Sequence, residues 1–349
     1  MLEVELSMRT FPQEQLRELA IAIFERVGTP TDLARIVGNS LVDANLAGHD
    51  SHGVLRVPGY CGSLRAGDVI PGARAEVRSR DRSTAIVDGH WGWGQPAMQL
   101  ATTTAIELAR EYALGAVVVR GCYHIGRAAP YVETVARAGM IGIVMANAGP
   151  AVAPFGGKDR VLGTNPFAWA IPRSDGQEPL SFDIATAGIA EGKLRVARAK
   201  EVDIAPGLLV DRNGLASTDP NDFFAGGAIL PFGGHKGNGF SILAQMLGRS
   251  LAGMDTTGFD GPRGANGPII IVLDPTAFTA FDHFTREVEA QGELITGSSP
   301  AKGFDEVLLP GEVELRTRRD REANGIPLPD ATWNEITALA SELGVLTAA

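Results

Sequence analysis

The sequence predicts an α/β fold with helical regions at both ends. Short runs rich in valine and isoleucine alternate with helical patterns between about residues 70 and 310. Before and after this middle part, the apolar residues recur at helical spacing. We therefore expect residues 1–70 plus 310–349 to form one helical region, packed beside an α/β region at 71–309.

The helices of the first 70 residues are predicted from their ends as well as from their apolar faces. Thr10 with Gln13 predicts a capping box for a first helix that closes at Gly28. A second helix opens at Pro30 and ends at Gly48. The run after Gly48 therefore lies at a joint between elements, where functional side chains often occur.

The middle region supplies the predicted sheet. Its predicted strands are Thr84–Asp88, Ala116–Arg120, Ile141–Ala146, Pro268–Leu273 and Glu306–Leu309. The helices predicted between and after them are Gln95–Tyr112, Tyr131–Ala138 and Gly237–Gly253. The tail is predicted to return to helix over Asp330–Leu343.

The segment Gly92–Ala97 matches a dinucleotide-binding fingerprint, G-x-G-x-x-A. It follows a predicted strand and precedes a predicted helix, as such a site requires. However, the bulky Trp93 occupies the tight turn, and the next predicted strand ends without an acidic residue for a ribose. A glycine turn into a helix started by Pro96 is the favoured interpretation.

Composition and charge exclude several classes of protein. The chain has 349 residues, 44% hydrophobic and 21% charged, as in a soluble protein of one large or two joined domains. The net charge of −10 argues against a nucleic acid or an anionic membrane as partner. Cys61 and Cys122 imply no disulfide framework, and Met1–Arg9 lacks a signal-peptide pattern. No apolar run is long enough to span a bilayer, so a cytoplasmic location is expected.

The densest chemistry lies in the run Gly48–Arg56, just past the second predicted helix. His52 can exchange a proton near neutral pH, and Ser51 beside it offers a hydroxyl. Arg56 offers a planar guanidinium that matches a carboxylate. A proton donor with a carboxylate clamp is what the reduction or oxidation of a small oxo or hydroxy acid requires.

A metal site is the competing interpretation of the same run. His49 and His52 could be ligands in a metal-dependent hydrolase, with His124 or Asp183 completing the shell. The sequence contains neither an H-E-x-x-H motif nor a cysteine-rich partner segment. No metal is therefore expected.

A glycine-rich segment, Pro231–Gly239, is a candidate anion site. Its glycines let backbone amides approach a ligand, Lys236 adds a positive charge, and a predicted helix begins at Gly237. The spacing is not that of a P-loop. A glycine-rich connection with a solvent-facing lysine would explain the same residues equally well.

Taken together, these segments resemble the type-2 malate/L-lactate dehydrogenase family over nearly the whole chain. The motifs that carry the resemblance are, in order, Asp50-Ser51-His52-Gly53 with Arg56, His124-Ile125-Gly126-Arg127, Pro154-Phe155-Gly156-Gly157, Gly163-Thr164-Asn165-Pro166, Phe182-Asp183-Ile184-Ala185-Thr186, Gly234-His235-Lys236-Gly237 and Leu309-Pro310-Gly311-Glu312. The runs Ala44–Gly53 and Asn324–Leu328 look most like the hydroxycarboxylate dehydrogenase branch.

The resemblance implies a fold distinct from the Rossmann fold: a large, mostly antiparallel sheet wrapped by helices, as in L-sulfolactate dehydrogenase. It implies an oxidoreductase that uses NAD or NADP and forms homodimers. The 71–309 region would bind the cofactor, and the helical region would bind the substrate and the second subunit. Arg56 and Thr164 would bind the substrate. The residues it places at the cofactor are Ala148, Phe182, Asp183, Ile184, Ala185, Thr186, His235, Lys236, Gly237, Gly311 and Glu312.

The family also implies roles for the reacting groups in the conversion of a 2-oxo acid to a 2-hydroxy acid. His52 is the first choice for the proton donor, with Ser51 as its hydrogen-bonding neighbour. Some members assign the acid/base role to the position of His124, so both histidines remain candidates. Asp183 matches a proton-donating position in the cyclic imine (Δ1-piperideine-2-carboxylate) reductase branch, which is the alternative function.

Overall fold

The computed structural model describes residues 8–254 and 265–345; the ends of the predicted helical region, 1–7 and 346–349, lie outside the described residues. Within these ranges the helices are α1 (Gln13–Arg26), α2 (Thr31–Leu46), α3 (Val57–Ala66), α4 (Gly94–Tyr112), α5 (Ala129–Arg137), α6 (Glu191–Ala199), α7 (Pro220–Phe224), α8 (His235–Gln245), α9 (Phe281–Thr296), α10 (Glu312–Asn324) and α11 (Asp330–Glu342). The strands are β1 (Met8–Phe11), β2 (Glu76–Asp81), β3 (Thr84–Gly92), β4 (Leu114–Cys122), β5 (Ile141–Ala146), β6 (Phe167–Ile171), β7 (Leu180–Ile184), β8 (Leu209–Val210), β9 (Ala216–Ser217), β10 (Ala228–Ile229), β11 (Pro268–Leu273) and β12 (Ile326–Pro329). Shorter turns are 3₁₀-helical at Asp50–His52, Val54–Arg56 and Pro275–Ala277, and π-helical at Met246–Ser250.

A seven-stranded sheet forms the centre of the middle region, in the order β2-β3-β4-β11-β5-β6-β7. Every neighbouring pair is antiparallel except β3 and β4, which are parallel and joined by α4. The mostly antiparallel sheet wrapped by helices is therefore confirmed. The predicted strands Ile141–Ala146 and Pro268–Leu273 coincide with β5 and β11.

The alternation of side chains along the strands separates two faces of this sheet. Val117, Val119 and Ile270 are fully buried on the face that α4 and α5 cover. On the opposite face, Ile143 and Trp169 are only partly buried. One face is thus a dry core, and the other is partly open.

A smaller sheet, β10-β8-β9, packs with α6 and α7 around a core that contains Leu194, Leu209 and Ile229. This unit lies against the His52 segment, the pair of 3₁₀ turns at Asp50–His52 and Val54–Arg56. A Cβ built on Gly192 of α6 would be 3.0 Å from the Cβ of Ser51. The small sheet therefore forms one wall beside the predicted catalytic residues.

The two ends of the chain share one hydrophobic core. β1 pairs with β12 in antiparallel register, and Phe11 stacks on Trp333 with ring centroids 4.0 Å apart. Apolar faces of α1 and α11 bury Phe24 and Ile336 in the same core. Trp93 belongs to it as well, so the core continues into the middle region.

Two local predictions are wrong. The capping box does not form, because Thr10 lies in β1, where it pairs with Pro327 in extended conformation, and α1 starts without a side-chain cap. The segment Glu306–Leu309 is irregular and not a strand. The N–H of Leu309 donates to the carboxylate of Glu312 at 2.8 Å, so a side chain takes the place of a strand neighbour.

The fingerprint-like glycines have a packing role. Gly92 ends β3 and Gly94 begins α4, and a Cβ on Gly94 would lie 2.2 Å from the carbonyl oxygen of Tyr123. Glycine at this position lets the two backbones approach closely, which agrees with the favoured interpretation. In the described part of the chain, no helix is both long and apolar enough to cross a membrane.

Candidate active site

The His52 segment is a pair of tight 3₁₀ turns between α2 and α3. Ser51 Oγ lies 3.1 Å from His52 Nδ1, and Arg56 Nε donates to the carbonyl oxygen of Ser51 at 2.7 Å. Gly53 is required between the turns, because a Cβ there would lie 2.2 Å from the side chain of Asn45. The hydroxyl, imidazole and guanidinium predicted to act together therefore lie together.

A network of polar side chains holds this segment against α10. Arg321 donates to both carboxylate oxygens of Asp50, at 2.7 and 3.1 Å. Asn45 donates to Asp50 at 2.6 Å and accepts from the N–H of Val54 at 2.8 Å, so it joins both turns. His49 contacts α10 as well, because its Nε2 lies 3.3 Å from a carboxylate oxygen of Glu314.

His124 lies just after β4 and is held by its Nδ1. This nitrogen lies 2.7 Å from the hydroxyl of Tyr60 and 3.2 Å from the backbone nitrogen of Gly126. Tyr60 in turn accepts from Nε2 of Gln95 at 3.3 Å. Tyr60 and Gln95 are 2% and 1% exposed, so the support of His124 is buried in the interior.

The two candidate histidines face each other. The rings of His52 and His124 are nearly parallel, with centroids 5.7 Å apart and an interplanar angle of 17°. Burial lowers the pKa of His52 to about 3, and the positive charge of Arg56 acts in the same direction. Burial likewise holds the pKa of His124 well below its ordinary value, again reinforced by Arg56. Both rings are therefore neutral at neutral pH before substrate binds.

Asp183 on β7 caps the start of α5. Its Oδ2 accepts from the N–H groups of Ala128 and Ala129 at 2.9 and 2.8 Å, and Arg127 Nε lies 3.9 Å away. Burial raises the pKa of Asp183, while Arg127 and the two backbone donors oppose that rise. The carboxylate thus fixes the segment that carries His124 relative to the edge of the sheet.

Buried hydrogen bonds join the predicted cofactor residues into one strip. Thr186 donates through its backbone N–H to the carbonyl of Thr164 at 2.8 Å, and Phe232 donates to the carbonyl of Thr186 at 3.1 Å. Asn165 accepts from the N–H of Ala148 at 2.8 Å. Ala148, Thr164 and the end of the Phe182–Thr186 segment therefore lie beside the glycine-rich turn.

The glycine-rich turn places an imidazole and an ammonium group at the N-terminus of α8. His235 and Lys236 are exposed there, and Gly234 has a φ of +63°. A Cβ on Gly237 would lie 2.3 Å from the carbonyl oxygen of Phe232, so the turn needs glycine at this position. The exposed ammonium group of Lys236 at a helix N-terminus suits an anion.

The Gly311–Glu312 segment opens α10 beside β7. The N–H of Ser181 donates to the carbonyl of Pro310 at 3.2 Å, and Gly311 has a φ of +95°. A cavity of about 400 Å³ lies here. Its charged lining consists of Arg127, Arg137, Arg173, Arg318, Arg319, Glu133, Glu178, Glu312 and Glu314. The five guanidinium groups are offset by four carboxylates, and both Arg127 and Arg137 pair with Glu133, so the cavity is polar and mixed in charge.

Several residues that hold the site were not predicted. Tyr60, Gln95, Asn45 and Arg321 support the two histidine segments through side-chain contacts. Asn45 lies within the family-like run before Gly48 and could have been noticed there. The other three occur in helices whose spacing predicts only packing or solvent exposure, so the sequence offers no signal for them.

Comparison with known proteins gives the family of the chain. Residues 11–337 match the malate/L-lactate dehydrogenase family. The chain belongs to this family. It is similar to hydroxycarboxylate dehydrogenase B of Escherichia coli K12, with 36% identity over 96% of this chain and 94% of the relative. It is also similar to the Δ1-pyrroline-2-carboxylate/Δ1-piperideine-2-carboxylate reductase of Pseudomonas syringae pv. tomato, with 34% identity over 95% and 96%.

A solved structure is similar over the same extent. Sulfolactate dehydrogenase from Methanocaldococcus jannaschii superposes with a TM-score of 0.89 and 35% identity, covering 97% of this chain and 98% of that one. As a member of the malate/L-lactate dehydrogenase family, the chain is an oxidoreductase of the 2-hydroxy acid dehydrogenase type. Dehydrogenases of this family use a nicotinamide cofactor.

The geometry gives no support to the metal-dependent hydrolase. In residues 8–254 and 265–345, no group of three or more His, Cys, Asp or Glu side chains is arranged to hold a metal ion. His49 contacts Glu314, while His52 and His124 face each other and Asp183 caps α5. Three of the four side chains offered as a ligand shell, His49, His124 and Asp183, are thus held by other groups.

Proposed function

We propose that the protein interconverts a small 2-oxo acid and its 2-hydroxy acid with NAD or NADP, and that His52 transfers the proton. The observation that carries the proposal is the neutral histidine pair, 5.7 Å apart, beside the guanidinium of Arg56. Within the described residues, Arg56 makes its hydrogen bond through Nε, which leaves both terminal nitrogens for a substrate carboxylate.

His52 is neutral before substrate binds, so its ring is free to accept the hydroxyl proton when a hydroxy acid is oxidised. In the opposite direction His52 must carry a proton. Burial is the main cause of its low pKa, and a substrate carboxylate on Arg56 offsets the second cause, the positive charge of Arg56, which favours the protonated ring. Ser51, hydrogen-bonded to His52, orients the imidazole, and Thr164 lies in the strip where the substrate would meet the cofactor.

The proposed cofactor residues are the strip Phe182–Thr186 with Ala148, the turn at His235–Gly237, and Gly311–Glu312. The bound nicotinamide supplies or accepts the hydride. The protein's part is to hold the phosphates with Lys236 at the N-terminus of α8, and to keep water from the carbon that reacts. Both NAD and NADP are compatible with this donor set.

The test follows the absorbance of reduced nicotinamide with purified protein, each of the two cofactors, and a panel of 2-oxo acids. We expect oxidation of one cofactor with at least one oxo acid, and proportional formation of the hydroxy acid. His52→Ala should abolish turnover while cofactor still binds. An unchanged rate in this variant would move the proton transfer to His124.

A cyclic imine is the second candidate substrate. The resemblance to an imine reductase and the buried carboxylate of Asp183 favour it. The same assay with a cyclic imine separates the two functions. Turnover with the imine and none with any oxo acid would contradict the main proposal and assign the proton to Asp183.

We also propose that the protein is a homodimer. Ile271, Ile143, Trp169 and Phe182 form a row across the partly open face of the sheet. The neighbouring α8 exposes apolar side chains, and a second copy would cover both surfaces. Light scattering of the purified protein should give twice the chain mass. A monomer at micromolar concentration would contradict this proposal.

A cytoplasmic location is proposed because Cys61 and Cys122 are both free and buried. Cell fractionation with tagged protein tests this location.

We further propose that residues 1–70 plus 310–349 provide the substrate and dimer region, and that residues 71–309 provide the cofactor region. Hydrogen exchange with and without cofactor should show protection concentrated in the second region, apart from the start of α10.

A further inference from the structure

A buried chain of hydrogen bonds ends at His124. Gln95 Nε2 donates to the hydroxyl oxygen of Tyr60 at 3.3 Å, and this hydroxyl lies 2.7 Å from Nδ1 of His124. Burial raises the pKa of Tyr60, so its hydroxyl keeps its proton at neutral pH. Because the phenol oxygen already accepts from Gln95, its proton is directed to the histidine.

The backbone of Gly126 fixes which nitrogen of His124 carries the proton. Its N–H points at Nδ1 from 3.2 Å, and a backbone N–H can only donate. Two donors therefore converge on Nδ1, which has to be an acceptor. The proton of the neutral ring must be on Nε2.

The other amide atom of Gln95 shows the cost of this arrangement. Its Oε1 is buried and, within the described residues, has no hydrogen-bond partner. Turning the amide would let this oxygen accept the Tyr60 proton and would draw that proton away from His124. The observed orientation is the one in which Nδ1 of His124 receives both donors, and the N–H of Gly126 carries the assignment of the His124 proton.

We propose that Tyr60 and Gln95 are positioning residues that fix His124 in the Nε2–H tautomer, so that Nε2–H donates a hydrogen bond to the substrate oxygen at C2 while His52 transfers the proton. This rests on the proposed oxo acid chemistry. The two histidines then have different roles: His124 polarises the substrate oxygen, and His52 gives or takes the proton. The low pKa of His124, caused by burial, by Arg56 and by His52, is consistent with a ring that stays neutral.

The first test is ¹⁵N NMR of histidine-labelled, ligand-free protein. We expect Nδ1 of His124 to give the resonance of an unprotonated nitrogen and Nε2 that of a protonated one. A proton on Nδ1 would overturn the proposal. This measurement uses no substrate, so absence of turnover with every oxo acid would contradict the proposed function without affecting the tautomer.

The second test is kinetic. Tyr60→Phe removes only the hydroxyl, and we expect kcat to fall about tenfold with KM for the cofactor unchanged. The NMR signal of Nδ1 should shift because it has lost one donor. Tyr123→Phe is the matched control, because that hydroxyl donates to Ser63 at 2.9 Å in the same aromatic cluster. Equal kinetic losses in both variants would contradict a role through His124.

Gln95→Met provides an independent variant of similar volume. It should lower kcat in the same direction as Tyr60→Phe, and the double variant should lose little more than either single one, because both act on the same proton. Fully additive losses in kcat would show that the two residues do not form one chain.

Discussion

The two histidine segments are held by opposite means. The His52 segment is fixed from outside by a charged network, in which Arg321 of α10 binds Asp50, itself 44% exposed in its side chain. The His124 segment is fixed from inside by Tyr60 and by the backbone of Gly126. One ring therefore depends on ionic contacts at the edge of the protein, and the other on neutral donors in its core.

This difference separates two demands on the site. Arg56 lowers the pKa of both rings, whereas the segment that carries His52 is anchored by the ion pair between Arg321 and Asp50. A group that only donates a hydrogen bond benefits from rigid, neutral surroundings, as the buried chain around His124 provides.

The largest effect is expected when each ring is replaced by glutamine. His52→Gln should lower kcat by ~10²–10⁴-fold, because the amide cannot exchange a proton. His124→Gln keeps an N–H donor and should lose only roughly tenfold. Cofactor binding, measured by calorimetric titration, should be unchanged in both. A larger loss for His124→Gln would reverse the assigned roles.

The next effect concerns the outside anchor. Arg321→Met removes both contacts to Asp50 and the one to the carbonyl of Asn45, so the His52 segment should lose its fixed position. We expect kcat to fall by roughly 10–100-fold. Arg316→Gln is the matched control on the same helix, because its exposed ion pair with Glu306 should contribute little. An equal loss in the control would mean that α10 acts as a whole.

The apolar content of a segment decides whether the sequence predicts it as a strand. The β5 and β11 segments have continuous apolar runs, and these strands are predicted with their correct bounds. β2 has no apolar pattern to predict it, because its sequence, Glu-Val-Arg-Ser-Arg-Asp, is exposed throughout. The opposite error occurs at Glu306–Leu309, which is predicted as a strand because it is apolar, although its apolar residues pack without a strand partner. The mostly antiparallel arrangement followed from the family resemblance and not from local patterns.

The candidate site shows the same limit. Ser51, His52 and Arg56 are close in sequence, so their side-chain chemistry alone pointed to a site. Arg321 is 271 residues from Asp50, and nothing in its charged helix indicates that contact. Tyr60 is likewise 64 residues from His124 and appears in the sequence as a core aromatic. Such supports depend on how distant elements pack, which spacing does not reveal.

A smaller effect is expected at the glycine between the two 3₁₀ turns. Gly53→Ala would bring a Cβ to 2.2 Å from Asn45, which must move and lose its bond to Val54. We expect the free energy of unfolding to fall by about 2 kcal/mol. Gly59→Ala is the control, because a Cβ there meets nothing within 4 Å and improves the propensity of α3. Equal stability of the two variants in urea would show that the turns are not tightly packed.

The smallest effect is a dependence of stability on pH that the two rings should share. The pKa of His52 falls from 6.5 to about 3 on folding, so between these values the unfolded chain binds a proton that the folded protein does not. Stability is therefore lost as the pH falls below 6.5. Lowering the pH from 7.5 to 5.5 should reduce the free energy of unfolding of the wild type, relative to that of His52→Gln, by at most about 1.4 kcal/mol. His124→Gln should behave alike, since its pKa is also lowered by burial. Urea titrations at both pH values measure this difference in the free energy of unfolding. If it were the same at both, His52 would be protonated in the folded protein. The two rings would then differ in charge as well as in what holds them.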